Sequence, residues 1–216
     1  MRWGAELLFT EMRGIIGPRK RPGTGEIPIM KQIWKPGNLL NPTPAVMVSC
    51  ATETERPNII TVAWAGTVCS EPPMVSVSVR KSRFSHHMIR ESGEFVVNLV
   101  SASLARACDL CGVRSGRDLD KFAAAHLTAA PAPGLAHAPL IAESPLNLSC
   151  RVEQILELGS HDMFLGRIVQ VSVEESLLDE KGRLDLGKAD LIAYSHGEYL
   201  RLGKAVGRFG FSVKKK

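Results

Sequence analysis

Between Met74 and Arg80 the chain alternates without a fault, with Val75, Val77 and Val79 on one side and Ser76, Ser78 and Arg80 on the other. Side chains of a strand point to opposite faces at every step, so this pattern commits the segment to a half-buried β-strand. The polar side does not end with the strand. Lys81, Ser82, Arg83 and Ser85 follow at once, while Phe84, Met88 and Ile89 take up helical spacing. Hydroxyls and cations therefore collect where a strand ends and a helix begins. Free N–H groups at a helix start, the positive end of its dipole, and Ser and Arg side chains together favour a phosphate. The plainer alternative is Ser82 or Ser85 as an ordinary N-cap.

Upstream, Asn58 to Val68 reads as a single strand, with Ile60, Val62 and Trp64 at period two. Around Trp64 the residues turn small, as Ala63, Ala65 and Gly66. Such residues let a planar ring lie close to strand N–H and C=O groups, or they pack tightly beside a core tryptophan. The Ser70-Glu71-Pro72-Pro73 segment is a turn. Further strands are expected over 45–51 and 94–100, and the helix near 83–91 should end at Gly93. Asn98, inside an apolar strand, calls for a hydrogen bond to neighbouring backbone.

A helix near Ser103 to Leu110 carries Cys108 and Cys111 at C-x-x-C spacing. Neither a βαβ context nor a second ligand pair accompanies them, so they read as half-buried helix cysteines. Ser115 to Asp118 reads as a capping box for a short helix bearing Lys121, by default a solvated charge. The Pro/Ala-rich stretch 129–145 is a loop. Leu146 to Val152 and His161 to Val173 then form a long antiparallel hairpin, with a slip of phase near Gln154 that suggests a bulge and with Leu165, Val169, Val171 and Val173 facing inward. A last strand covers 191–194.

Several function classes lose support on composition and spacing. The net charge of +5 over 216 residues is mild, and part of it lies in Arg19-Lys20-Arg21 and Lys214-Lys215-Lys216, which argues against nucleic-acid binding. There is no apolar run of membrane-spanning length. Five cysteines with no secretory signal point to a reducing cytoplasm. The six histidines show no H-x-x-x-H pairing, so no metal site is expected. No triad or carboxylate pair stands out, and no G-x-G-x-x-G opens a helix after a strand. Residues 1–29, punctuated by Pro18, Pro22, Gly23, Gly25 and Pro28, read as a disordered extension before a domain over 30–216.

The ordered pieces N-x-x-T-V-A-W-A-G-T, S-E-P-P-M-V-S-V-S-V-R, S-R-F-S, G-E-F-V-V-N-L-V and S-G-R-D-L-D-K-F resemble the flavin reductase-like family of FMN-binding split barrels, in particular its flavoredoxin branch. The resemblance implies a mainly β fold, an antiparallel Greek-key split barrel with a few short helices, that assembles as a homodimer. It implies non-covalent FMN and a nicotinamide dinucleotide, NADH or NADPH, as transient donor, with an electron-acceptor protein as a further partner. No catalytic residue is assigned beyond the flavin, since the chemistry is the cofactor's.

On that resemblance Trp64 and the backbone of Ala65, Gly66 and Thr67 would hold the ring, with Thr61 beside them. Asn58 would bond to its polar edge or the ribityl chain. Ser78, Arg80, Ser82, Arg83 and Ser85 are the phosphate candidates. The family's D-K-F motif puts Lys121 near the flavin, and matching positions add His161 at the barrel rim and Tyr194 as an aromatic lid. Without the resemblance these last two are a turn histidine and a barrel plug. Two other functions stay open beside an NAD(P)H-dependent flavin reductase: an electron-transfer flavoprotein with no NAD(P)H activity, and a non-catalytic basic binding protein.

Overall fold

A computed structural model describes residues 31–213. The chain divides into two units, Met1–Asn38 and Leu39–Lys216. In the first, residues 31–38 carry neither helix nor strand and are exposed; the proposed disordered segment 1–29 lies outside the described residues.

The second unit is built on a seven-stranded sheet. In chain order its elements are β1 (Thr43–Pro44), β2 (Val46–Cys50), β3 (Asn58–Val62), β4 (Ala65–Ser70), β5 (Pro73–Arg80), α1 (Phe84–Ser92), β6 (Glu94–Leu99), α2 (Ala105–Val113), α3 (Lys121–Ala124), β7 (Ala129–Ala130), β8 (Leu140–Ile141), β9 (Leu146–Leu158), β10 (His161–Val173), β11 (Ile192–Ser195) and β12 (Glu198–Arg201). The main sheet runs β3-β2-β6-β9-β10-β5-β4, and every pairing in it is antiparallel. Its two edge strands, β3 and β4, are consecutive in sequence and joined only by Ala63 and Trp64. Laid flat, the seven strands would hold their edges about 29 Å apart, six spacings of ~4.8 Å. The three Cα steps from Val62 to Ala65 reach about 11 Å at most. The sheet must therefore curl back on itself, which is the split barrel expected from the sequence.

That closure corrects the single strand read over 58–68. At Ala63-Trp64 the chain leaves β2 as partner and takes up β5, with the Ser78 amide donating to the Trp64 carbonyl at 2.9 Å. Trp64 is consequently 41% exposed and no core residue. The valines of β5 point into the barrel as their spacing requires, joined by Val46, Val48, Ile60, Val62, Phe95 and Phe164. Helix α1 sends Met88 and Ile89 into the same core, and Gly93 ends it in the left-handed region at φ 67°. On the outer face of β2 and β3, helices α2 and α3 and the segment before α2 bury Met47 and Ile59 with Leu104, Cys108, Cys111 and Phe122. Strand β2 is thus covered on both sides, which is why its sequence shows little alternation.

The β9–β10 hairpin has the expected bulge, since Leu165 pairs with Gln154 and Gly166 with Val152, leaving Glu153 extra. The inward phase of β10 is opposite to that read from its valines. Asp162, Phe164 and Gly166 are buried, whereas Val171 is exposed. Gly166 is required there, because a Cβ would lie 2.5 Å from the Phe95 ring. Asn98 donates to the Met47 and Val96 carbonyls and the Ser49 hydroxyl and accepts from the Ile141 amide and the Asn147 side chain, so backbone and side chains together meet its burial. Glu94 accepts from the amides of Ala136, His137 and Ala138, and together these outweigh the cost of burial and hold its pKa below the usual value.

Candidate functional site

A cleft of about 320 Å³ opens where β3 begins, β5 ends and α1 starts, with the end of α2, the following loop and α3 beside it. Six sequence-predicted residues line it together: Asn58, Arg80, Ser82, Arg83, Ser85 and Lys121. Arg83 occupies the N-cap position of α1, and no side chain caps that helix. The ordinary N-cap reading of Ser82 or Ser85 therefore falls. Ser85 instead accepts from the Asn58 amide nitrogen at 2.8 Å, both residues being buried. The first amides of α1 and its dipole are left to act on whatever enters the cleft.

Lys121 is buried, not a solvated helix charge. Its Nζ donates to the Ile59 carbonyl at 2.7 Å and the Cys111 carbonyl at 2.8 Å, tying α3 and the end of α2 to β3. An ammonium has three hydrogens, so one remains for the cleft that it lines. Burial, aided by the Arg83 charge, pushes its pKa below the usual lysine value. The expected capping box is replaced by two separate devices. Ser115 accepts from the Arg117 amide in a turn, and Asp120 caps α3 by accepting from Ala123.

Beside Ile60, Phe84 and Cys111, four lining residues of the loop after α2 were not among the site candidates: Arg114, Ser115, Gly116 and Arg117. The S-G-R-D piece that supports the family resemblance contains three of them, and that was the available signal. Gly116 is held to glycine by space, since a Cβ would sit 2.3 Å from Asn58 Oδ1 and 2.7 Å from the Phe84 ring. Arg117 lies 5.4 Å from the centre of the Phe84 ring and donates to the Ser82 carbonyl at 3.3 Å. The cleft is thus lined by five cationic side chains, Arg80, Arg83, Arg114, Arg117 and Lys121, and by no carboxylate.

The other predicted residues lie elsewhere on the same frame. Ala65, Gly66 and Thr67 pair with β5, and Ser78 stands two residues before Arg80 on that strand. His161 is opposite Arg80 in the β5–β10 ladder, and its ring centre is 4.6 Å from that of Trp64. Burial and the Arg80 charge lower its pKa. Thr61 donates to the Cys108 carbonyl, fastening α2 to β3. Tyr194 packs against Tyr199 over the α2 side of the sheet and does not line this cleft. Burial raises the Cys108 and Cys111 thiols to about 12 and about 11, so neither is poised as a nucleophile. Among the described residues no group of His, Cys, Asp and Glu could hold a metal ion, and no helix is long and apolar enough to cross a membrane.

Residues 39–203 match the model of the flavin reductase like domain. The chain belongs to the flavin reductase-like family. Among solved structures, the flavoredoxin of Desulfovibrio vulgaris (Miyazaki F) is 33% identical, with a TM-score of 0.79 over 86% of this chain and 100% of that one. The flavoredoxin from Methanosarcina acetivorans is 29% identical, with a TM-score of 0.76 over 85% of this chain and 100% of that one. The flavoredoxin branch expected of this flavin reductase-like protein therefore stands. Among curated relatives, the reductase component of a 4-nitrophenol 4-monooxygenase/4-nitrocatechol 2-monooxygenase from Rhodococcus opacus is 31% identical over 58% of this chain and 63% of its own length.

Proposed function

We propose that the protein is an FMN-dependent oxidoreductase whose cleft holds the flavin phosphate, and that it takes hydride from NADH or NADPH and passes electrons to an acceptor. The observation that carries this reading is five cations converging on one cleft without a carboxylate. Such an arrangement repels itself until an anion neutralises it, and a phosphate monoester brings about −1.5 to −2 charges at pH 7. The residues fit that group. Ser82, Arg83, Ser85 and the uncapped start of α1 form the cradle, Asn58 is fixed by Ser85, and Gly116 leaves the space between them open.

When bound, FMN would supply the hydride and single-electron chemistry. The chain's own part is to bind and orient. Arg80, Arg83 and Lys121 neutralise the phosphate. Trp64 and His161, at the barrel rim beyond Arg80, would border the ring, with the backbone of Ala65 to Thr67 within reach of its polar edge. Assembly as a homodimer and a cytoplasmic location belong to the same proposal. A second reading, an electron carrier with no NAD(P)H activity of its own, is favoured by the full-length likeness to two flavoredoxins. Absorbance separates the two: FMN-loaded protein that bleaches anaerobically on NADH or NADPH supports the oxidoreductase, and bleaching only with dithionite supports the carrier. Protein that binds no FMN overturns both.

A further inference from the structure

Charge in the cleft exceeds what one phosphate monoester can balance. Five cations stand against about two negative charges, and among the described residues Arg80, Arg83 and Arg114 form no ion pair. The five cations also come from different elements. Arg80 ends β5, Arg83 stands at the N-cap of α1 and Lys121 begins α3, whereas Arg114 and Arg117 come from the loop after α2. Arg117 is not free to swing away, because its guanidinium is set over Phe84 and donates to the Ser82 carbonyl. That contact uses part of its five-donor fork and leaves the rest for an anion. Arg114 follows the last residue of α2 and is exposed, and its side chain has no hydrogen-bond or ion-pair partner among the described residues. A favourable position at a helix C-terminus accounts for a cation there, but not for its lining the same cleft as four others.

We propose that Arg114 and Arg117 form a second phosphate subsite, which takes a phosphate of the nicotinamide dinucleotide while the first subsite holds the flavin phosphate. This rests on the FMN reading above. A dinucleotide flavin offers the same chemistry, but its two bridging phosphates carry together about as much charge as the single monoester of FMN and so leave the surplus unmet. Two separate nucleotides balance it. Recognition by two arginines at the cleft edge also suits a donor that must bind and leave in each turnover, in a chain without a dinucleotide-binding fingerprint.

Calorimetric titration with inorganic pyrophosphate tests the assignment without relying on turnover. The expected result is two sites on the apoprotein, one on FMN-loaded protein, and none detectable on FMN-loaded Arg114→Gln or Arg117→Gln, with FMN affinity within about threefold of the parent in both variants. NADP⁺ and NAD⁺ should compete for the remaining site of FMN-loaded protein and lose at least tenfold in affinity in either variant. Arg114→Gln guards against misfolding, since it removes no hydrogen bond or ion pair within the described residues. Loss of FMN affinity in parallel with pyrophosphate would overturn the proposal by assigning both arginines to the flavin phosphate. So would FAD binding that blocks the pyrophosphate site as FMN does not, which would give the subsite to a dinucleotide flavin. If FMN itself does not bind, the flavin reading fails first, and that outcome is seen before any variant is made.

Discussion

Helix α1 stands between two clusters of charge that have opposite arrangements. On one side Asp162, fully buried, accepts from His86 Nε2 at 2.8 Å and lies 3.4 Å from Lys81 Nζ and 3.6 Å from Arg90 Nη1, while Glu157 bridges Lys81 and Arg90 at 3.2 and 3.4 Å. On the other side five cations line the cleft and no carboxylate answers them. The same residue types thus make a closed network in one place and an open one in the other. A closed network serves the fold, since its charges are met from within. An open one must be completed from outside, and this is what separates a site from a structural ion cluster of similar composition.

Breaking the closed network should have the largest effect, and on stability alone. Asp162→Ala is expected to cost about 3 kcal/mol in denaturant unfolding, because it strands a buried His86 and leaves Lys81 and Arg90 to share Glu157 alone; FMN affinity should hold. Acid should mimic this. Burial works against the Asp162 charge, but the His86 hydrogen bond and Lys81 outweigh it and hold the carboxyl below its usual value. Its contribution is therefore present above the unfolded-state value of about 4 and is lost as pH falls through the lower folded-state value. Asp162→Asn should flatten that acid limb, and a limb that is unchanged would show that the carboxylate is not its source.

Opening the other cluster should spare the fold and remove the ligand. Arg83→Gln is expected to weaken FMN by about 30-fold, roughly the 2 kcal/mol of a charged hydrogen bond, with the melting temperature of the apoprotein unchanged. A rise in apoprotein stability would sharpen the comparison, since it measures the repulsion that the ligand relieves. Alkali bears on the same point. As pH rises through the lowered pKa of Lys121, one cation is lost and FMN affinity should fall before any ordinary lysine titrates.

Smaller effects test the packing that sets the cleft. Gly116→Ala would drive a Cβ into Asn58 and Phe84 and should reduce FMN affinity by about tenfold. Trp64→Ala, at a half-open rim, should change stability by no more than about 0.5 kcal/mol while shifting the flavin absorption band of the complex. An unchanged band would remove Trp64 from the flavin environment.

Strand β5, helix α1 and its Gly93 stop were legible because each is governed by neighbours in sequence: alternation, helical spacing and a residue tolerant of positive φ. So was the meeting of Ser82, Arg83 and Ser85 at one cleft, since they sit within one turn of a strand end. The break at Ala63-Trp64 was not, because Ile60, Val62 and Trp64 keep the same rhythm across the seam and only barrel closure interrupts it. The phase of β10 was misread for a related reason. Its valines beyond the bulges lie on the partly open half of the hairpin, whereas Asp162, Phe164 and Gly166 carry the interior. Arg114 and Arg117 looked like any loop cations, since nothing local tells that their loop folds against Asn58 and Phe84.

The two-residue join between β3 and β4 has a thermodynamic side. Asn58 and Arg80 border one cleft, yet along the ladder one lies on the edge strand β3 and the other on β5, next to the opposite edge. A sheet left open at this seam would part them. Any ligand of the cleft therefore binds only the closed barrel, and at a hundredfold excess over its dissociation constant it would add about 2.7 kcal/mol to the free energy of unfolding. A nucleotide bound there would act as a clasp on the seam.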